Sequence, residues 1–249
     1  MKINKKKFQV IAVAGLLTVG VVGGTLAWFT SQDKLTNKFT TGSINDPNTD
    51  GVKIEEHFEE PKNVTPGELT DKQVQVKNTA SYDQFIRVKL TPKFVDVNND
   101  RSEIKQVTIK EGENNTTKDL DTSKIVFKFS TNKNDSKEDG TWYDAGDGYF
   151  YYIGKVAPDT TTNKLLEAVE LDKSAGNEYR GIGFDVDVVT DSIQATHDAY
   201  LDWGNEKDTK IPEVLKEKFK ELQDKEGTTE SKNTIPEDKI TNKEPNKEK

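Results

Sequence analysis

The two histidines offer the widest choice of chemistry in this chain, as metal ligands or as acid–base groups. His57 stands in "EEHFEE", among four carboxylates that could hold a hard cation loosely, and His197 stands far along the chain. Zinc sites need several ligands at defined spacing, as in HExxH, and the chain has no cysteine. We therefore predict no zinc site and no catalytic residue, and we interpret "EEHFEE" as the solvated edge of a strand.

The stretch "DPNTDGVKIEEH" resembles part of a calcium-binding loop. Asp46, Asn48, Asp50 and Gly51 fall at positions one, three, five and six, where small oxygen ligands and a glycine let the loop wrap an ion. Position twelve, where a bidentate Glu should stand, is His57. We expect an ordinary Asx and glycine turn with no bound metal, and a calcium site at Asp46, Asn48 and Asp50 is the alternative.

No other motif indicates an enzyme or a cofactor. There is no nucleophile elbow around a serine, and "GIG" at 181–183 lacks the rest of a dinucleotide fingerprint. The net charge is −8, which argues against a nucleic-acid partner because such a partner needs a basic patch. The sequence predicts a protein that is no enzyme, binds no cofactor and binds no nucleic acid.

The N-terminus has the three parts of an export signal. Lysines from Lys2 to Lys7 precede an apolar run from Val10 to Val22, and Thr25-Leu26-Ala27 fits the small-x-Ala rule for cleavage. The apolar run is shorter than the roughly 20 residues of a spanning helix. We predict cleavage after Ala27, which makes Trp28 the new N-terminus and leaves no membrane segment in the mature, secreted chain. An uncleaved membrane anchor is the alternative.

The sequence from position 69 onward favours an all-β fold. Apolar and polar residues alternate in runs such as "QVQVKN", "KIVFKFS" and "GFDVDVV", and turn-forming clusters bound each run. "TWYDAGDGYFYYIGKV" predicts two strands around an Asp-Gly turn, and "TTTNKLLEAVEL" allows a short helix or a further strand. About eight or nine strands at this spacing predict an antiparallel β-sandwich of jelly-roll type.

The period changes near the C-terminus. Apolar residues recur there at helical spacing behind Pro212, which predicts a peripheral helix on the sandwich. These residues are Ile211, Val214, Leu215, Phe219 and Leu222. From Glu226 to Lys249 only Ile235 and Ile240 are large and apolar, so we predict a disordered, charged tail.

The predicted organisation has four parts. They are a signal peptide over 1–27, an N-terminal strand segment over 28–42, a sandwich domain with its helix over 43–225, and the tail over 226–249. In the second part, "WFTSQDKLTNKFTTG", Phe29, Leu35 and Phe39 share one parity with Asn37, so one face of a strand can enter an apolar groove. This strand either belongs to the chain's own sheet or completes the sheet of a neighbouring molecule.

Three segments carry a family resemblance: "GGTLAWFTSQDKLTNKFTTGSI", "VKNTASYDQFIRVKLTP" and "DSIQATHDAYLDWG". Together they resemble the TasA/camelysin family, especially the BsaA-type fibre proteins of Gram-positive bacteria, from the signal peptide to about Gly204. The resemblance implies a jelly-roll domain, export through a SipW-type signal peptidase, and location in the extracellular matrix or at the cell surface. It also implies homopolymerisation into biofilm-matrix or pilus-like fibres by donor-strand exchange, with other matrix components as possible partners.

The resemblance also assigns roles to residues of this chain. It implies cleavage at Thr25 to Ala27 and a donor segment from Trp28 to Gly42, with the donor strand residues Trp28, Phe29, Leu35, Asn37 and Phe39. Camelysin-like relatives suggest a surface metalloprotease as one alternative, which the lack of a zinc motif disfavours. A monomeric adhesin that keeps its own strand is another, and isopeptide bonds between Lys and Asn stay a hypothesis.

Overall fold

The fold is given by a computed structural model, which describes residues 30–37, 51–59, 64–111, 114–204, 211–227 and 231–242. In these ranges the chain forms twelve strands and one α-helix. The strands are β1 (Thr30–Asn37), β2 (Val52–Phe58), β3 (Leu69–Asn78), β4 (Gln84–Asp96), β5 (Ser102–Ile104), β6 (Gln106–Glu111), β7 (Asn114–Asp119), β8 (Ile125–Phe129), β9 (Thr141–Asp144), β10 (Phe150–Ile153), β11 (Leu166–Leu171) and β12 (Gly183–Gln194). The helix is α1 (Glu213–Gln223), and a 3₁₀ turn covers Ala199–Gly204.

Two antiparallel sheets form the body of the molecule. The larger sheet has the order β1-β12-β4-β10-β9, with the short strand β5 also paired to β4, and the smaller sheet has the order β2-β3-β11-β8. Strands β6 and β7 form a separate hairpin. The predicted all-β antiparallel sandwich is confirmed, while its jelly-roll connectivity stays a prediction.

The core between the sheets follows the alternation of the sequence. Val74 and Val76 of β3 and Val186 and Val188 of β12 are fully buried in one shared cluster. Burial of such a side chain stabilises the fold by roughly 1.5–3 kcal/mol. Since a slip of one residue would turn this set outward, the core fixes the register of both sheets.

The outer face of the larger sheet is covered by α1. Phe219 of α1 packs edge-on against Phe85 of β4, with ring centroids 4.7 Å apart, and Leu215 and Leu222 are buried beside it. The predicted helix is therefore confirmed, with one difference. Val214 is 48% exposed, because it stands outside the stripe that meets the sheet.

The outer face of the smaller sheet is crossed by residues 231–242, which we call the strap. Its residues Ile235 and Asn242 are 3% and 4% exposed, and its contacts run from Thr161 to Glu56. The sequence predicted disorder from Glu226 onward, and the strap differs from that prediction. The reason is that main-chain and amide hydrogen bonds hold the strap in place. Such bonds require no regular spacing of apolar residues in the sequence.

Candidate strand-exchange edge

Strand β1 is the outermost strand of the larger sheet and pairs antiparallel with β12. The register runs from Thr30 opposite Ile193 to Asn37 opposite Val186, without a bulge. Leu35 lies opposite Val188, and both Val186 and Val188 are buried in the core. The two donor-strand residues inside β1, Leu35 and Asn37, thus stand opposite buried residues of β12 in the register.

The remaining predicted site residues lie outside the described part of the chain. They are Thr25, Ala27, Trp28, Phe29 and Phe39 of the cleavage site and donor segment, and Asp46, Asn48 and Asp50 of the calcium alternative. The cleavage and calcium predictions accordingly stay predictions.

The three segments that carry the resemblance meet in the structure. The first contributes β1, the second runs from the end of β3 into β4, and the third runs from β12 into the 3₁₀ turn Ala199–Gly204. Because the sheet order is β1-β12-β4, these segments form three adjacent strands. A hydrogen bond from the Ala195 N–H to the Asp83 C=O, 2.9 Å long, joins the second and third segments where these strands end.

Arg87 of β4 is the centre of the region beside this edge. Its Nε donates to Asp191 Oδ2 of β12 at 3.1 Å, and its guanidinium carbon lies 4.0 Å and 5.3 Å from the rings of Tyr149 and Trp203. Burial raises the pKa of the nearby Tyr151 well above its usual value. A carboxylate and two aromatic faces thus replace the water around the buried guanidinium.

Charged pairs tie β12 to the β4 side of the sheet. The pairs are Asp191–Arg87, Asp187–Lys93 and Asp185–Arg101. The three acids stand on β12, separated by even numbers of positions, so that they share one face of the strand. Arg87 and Lys93 stand on β4 and also share one face, and Arg101 follows the end of β4. This arrangement of acids on one strand and bases on the other is a signal in the sequence that indicates the pairing of the two strands.

The fold turns part of the acidic cluster away from His57, while Glu59 Oε1 and Asp71 Oδ2 lie 3.5 Å and 3.7 Å from His57 Nε2. Glu56 points into the sandwich, where it forms an ion pair with Lys72 at 3.0 Å, and Glu55 accepts a hydrogen bond from Gln75. His57 Nδ1 lies 2.7 Å from a strap carbonyl, that of Lys239. Among the described residues no group of three or more His, Cys, Asp or Glu side chains could hold a metal ion.

His197 is exposed on the turn after β12, where its φ is +47°. In the described part of the chain, no helix has the length and apolar character to cross a membrane.

The β1 edge can bind a strand, because β12 offers main-chain donors and acceptors there, with buried apolar rows beside them. Comparison with family models, curated proteins and solved structures finds no match to this chain.

Proposed function

We propose that this protein is a secreted structural subunit that polymerises into biofilm-matrix or pilus-like fibres by exchanging its N-terminal strand between copies. In this proposal a SipW-type signal peptidase releases the chain, the domain is a jelly roll, and the fibre lies in the extracellular matrix or at the cell surface. One observation supports it: β1 is an edge strand of the larger sheet. It pairs with β12, and the other strands of that sheet lie on the opposite side of β12.

Such a strand can be replaced by its equivalent from a second copy. The β1–β12 ladder joins eight opposed residue pairs, and its main-chain hydrogen bonds, each worth about 0.5–1.5 kcal/mol net, are the same whichever copy supplies β1. The exchange therefore leaves the ladder energy unchanged, as in domain swapping. Protein concentration and the strain of the connecting segment then decide between a closed monomer and a fibre.

The chain between β1 and β2 is long enough for this exchange. Asn37 ends β1 and Val52 begins β2, so the connection has 14 residues, which can reach roughly 46 Å when extended. β1 can therefore leave its own sheet while β2 stays in place. Because each copy gives a strand at one place and accepts one at another, the resulting contact is heterologous and can continue without closing.

The absence of cysteine in this chain permits a sharp test. Lys34 and Val189 are directly opposed in the β1–β12 register, within the range that a disulfide can bridge. We would mix mature chains carrying Lys34→Cys with mature chains carrying Val189→Cys and oxidise them. Since each chain has one thiol of the pair, a 34–189 disulfide forms only when β1 of one copy lies on β12 of another.

The proposal predicts covalent heterodimers that increase with protein concentration and with the fibres seen by electron microscopy. A mixture of Lys34→Cys with Val97→Cys is the matched control, because Val97 is exposed beyond the end of β4 and has no place opposite β1. Deletion of residues 28–42 should abolish the fibres. Solitary monomers at every concentration, with no 34–189 disulfide between chains, would overturn the proposal and favour a monomeric adhesin.

A further inference from the structure

The strap covers the edge strand β2 of the smaller sheet. Because β2 pairs with β3 on one side, alternate residues direct their main-chain groups to the other side. There the Asn242 side chain accepts from the Glu56 N–H at 2.9 Å and donates to the Ile54 C=O at 2.8 Å. One carboxamide thus makes the two bonds that the N–H and C=O of one residue in a neighbouring strand would make.

Thr241 completes this substitute for a strand. Its N–H donates to the Glu56 C=O at 2.7 Å, and its Oγ1 accepts from the Phe58 N–H at 3.2 Å. The Lys239 C=O lies 2.7 Å from His57 Nδ1. Four outward main-chain groups of β2, at Ile54, Glu56 and Phe58, are therefore occupied by two strap residues.

The rest of the strap is anchored farther back on the smaller sheet. The Asn233 N–H donates to Asn163 Oδ1 at 2.9 Å, and its C=O accepts from the Lys164 N–H at 2.8 Å. The Ile235 N–H donates to Gln75 Oε1 at 2.6 Å. These anchors hold 231–235 independently of Asn242, so the end of the strap can leave β2 while its beginning stays bound.

We propose that the strap is a releasable lock on the β2 edge, and that an unlocked β2 pairs antiparallel with β2 of a second copy of this chain. The charges of the strand favour this occupant. An antiparallel pair centred on Glu56 places Lys53 of each copy opposite Glu59 of the other. Glu56 itself is neutralised by Lys72 inside the sandwich. Opposite charges directly across a pair stabilise it.

This contact is lateral and differs from exchange of β1, so it goes beyond the proposed function and stands without it. Edge strands left open are templates for pairing with another chain. In a chain whose strap is in place, another copy can pair at β12 after β1 leaves, but not at β2. In a chain whose strap is released, another copy can pair at β2 as well. The strap thereby decides whether subunits associate side by side.

The test uses the full mature chain carrying Asn242→Leu, with Asp238→Ala, an exposed position of the same strap, as the matched control. A zero-length carbodiimide reagent would then join Lys53 to Glu59 across the β2–β2 contact. Within one chain these residues are six positions apart on an extended segment, about 20 Å, so the cross-link reports two copies. It is also blind to where β1 lies.

We expect at least a tenfold gain of the Lys53–Glu59 cross-link in Asn242→Leu over the parent chain and Asp238→Ala. A synthetic peptide of residues 231–242 in excess should suppress that gain. If the cross-link does not increase, hydrogen exchange at the Glu56 and Phe58 amides separates the two ways of failing, because a β2–β2 pair would protect these amides again. Without the cross-link, amides that stay as protected as in the parent chain would overturn the lock, and deprotected amides would overturn the pairing.

Discussion

The outer faces of the two sheets are both covered by the C-terminal part of the chain, but by opposite chemistry. On the larger sheet, α1 packs Phe219 into a cluster of rings that includes Phe85 and Tyr151. On the smaller sheet, the strap lies over polar side chains, and hydrogen bonds to groups such as Gln75 hold it. One cover is an extension of the apolar core, and the other is a polar attachment.

This difference predicts how each cover opens. Apolar packing is lost together with the core that it extends, so α1 should unfold with the whole domain. A hydrogen bond adds only about 0.5–1.5 kcal/mol net, and each strap bond can break without disturbing the core. We therefore expect the strap to open locally while α1 stays in place, which is what a releasable lock requires.

The largest expected effect tests the apolar cover. Phe219→Ala should lower the free energy of unfolding by about 3–5 kcal/mol, because it leaves a cavity between Phe85, Tyr200 and Trp203. Guanidinium titration followed by far-UV circular dichroism and by tryptophan fluorescence measures this loss. The two signals should move together, since the helix and the sheet form one unit.

Lys220→Ala is the control for that variant. Lys220 is the next residue of α1 and is exposed, so the free energy of unfolding should change by less than about 0.5 kcal/mol. A loss below about 1 kcal/mol for Phe219→Ala, or a helix signal that melts before the sheet signal, would show that α1 is no part of the core.

A smaller effect is expected for the polar cover. Gln75→Leu removes the acceptor of the Ile235 N–H, and a buried donor without a partner costs about 1–3 kcal/mol. Exchange of the Ile235 amide should become faster, and amides of α1 should keep their protection. Gln73→Leu is the control, because Gln73 stands on the same strand and bonds to Asp71 and Lys164 but not to the strap. If the amides of α1 lost as much protection as the Ile235 amide in Gln75→Leu, the two covers would open together and the predicted difference between them would be wrong.

Much of the fold could be predicted because a strand or helix that is buried on one side has apolar residues at regular spacing in its sequence. The alternation of "QVQVKN" gave β3, and the stripe of Leu215, Phe219 and Leu222 gave α1. β7 was missed because "NNTTKD" has the composition of a turn, yet its residues pair with β6 over Asn114–Asp119. "LEAVEL", left open between helix and strand, forms β11.

The candidate sites were less accessible from the sequence, for two physical reasons. An edge strand such as β1 has the same pattern whether it serves its own sheet or a neighbour's, because the ladder is made of main-chain groups. The strap has no apolar period, since Thr241 and Asn242 bind through their polar groups. The composition of the tail predicted disorder. The strap is ordered through its tertiary contacts with β2, which the composition does not show.

The smallest expected effect is the titration of Tyr200, which measures how well α1 keeps water from the larger sheet. Burial, and next a hydrogen bond to Asp198, raise its pKa to about 12 from the ordinary 10.0. The neutral phenol is favoured in the fold, so this contribution to stability is complete below pH 10.0 and is lost as the pH rises toward about 12. A ¹³Cζ tyrosine NMR titration should place the midpoint of Tyr200 near 12 in the parent chain and in Lys220→Ala. In Phe219→Ala the midpoint should fall toward 10.0, because water then reaches the ring. An unchanged midpoint in Phe219→Ala would mean that the 3₁₀ turn, and not α1, shields Tyr200, and that the helix is the weaker of the two covers.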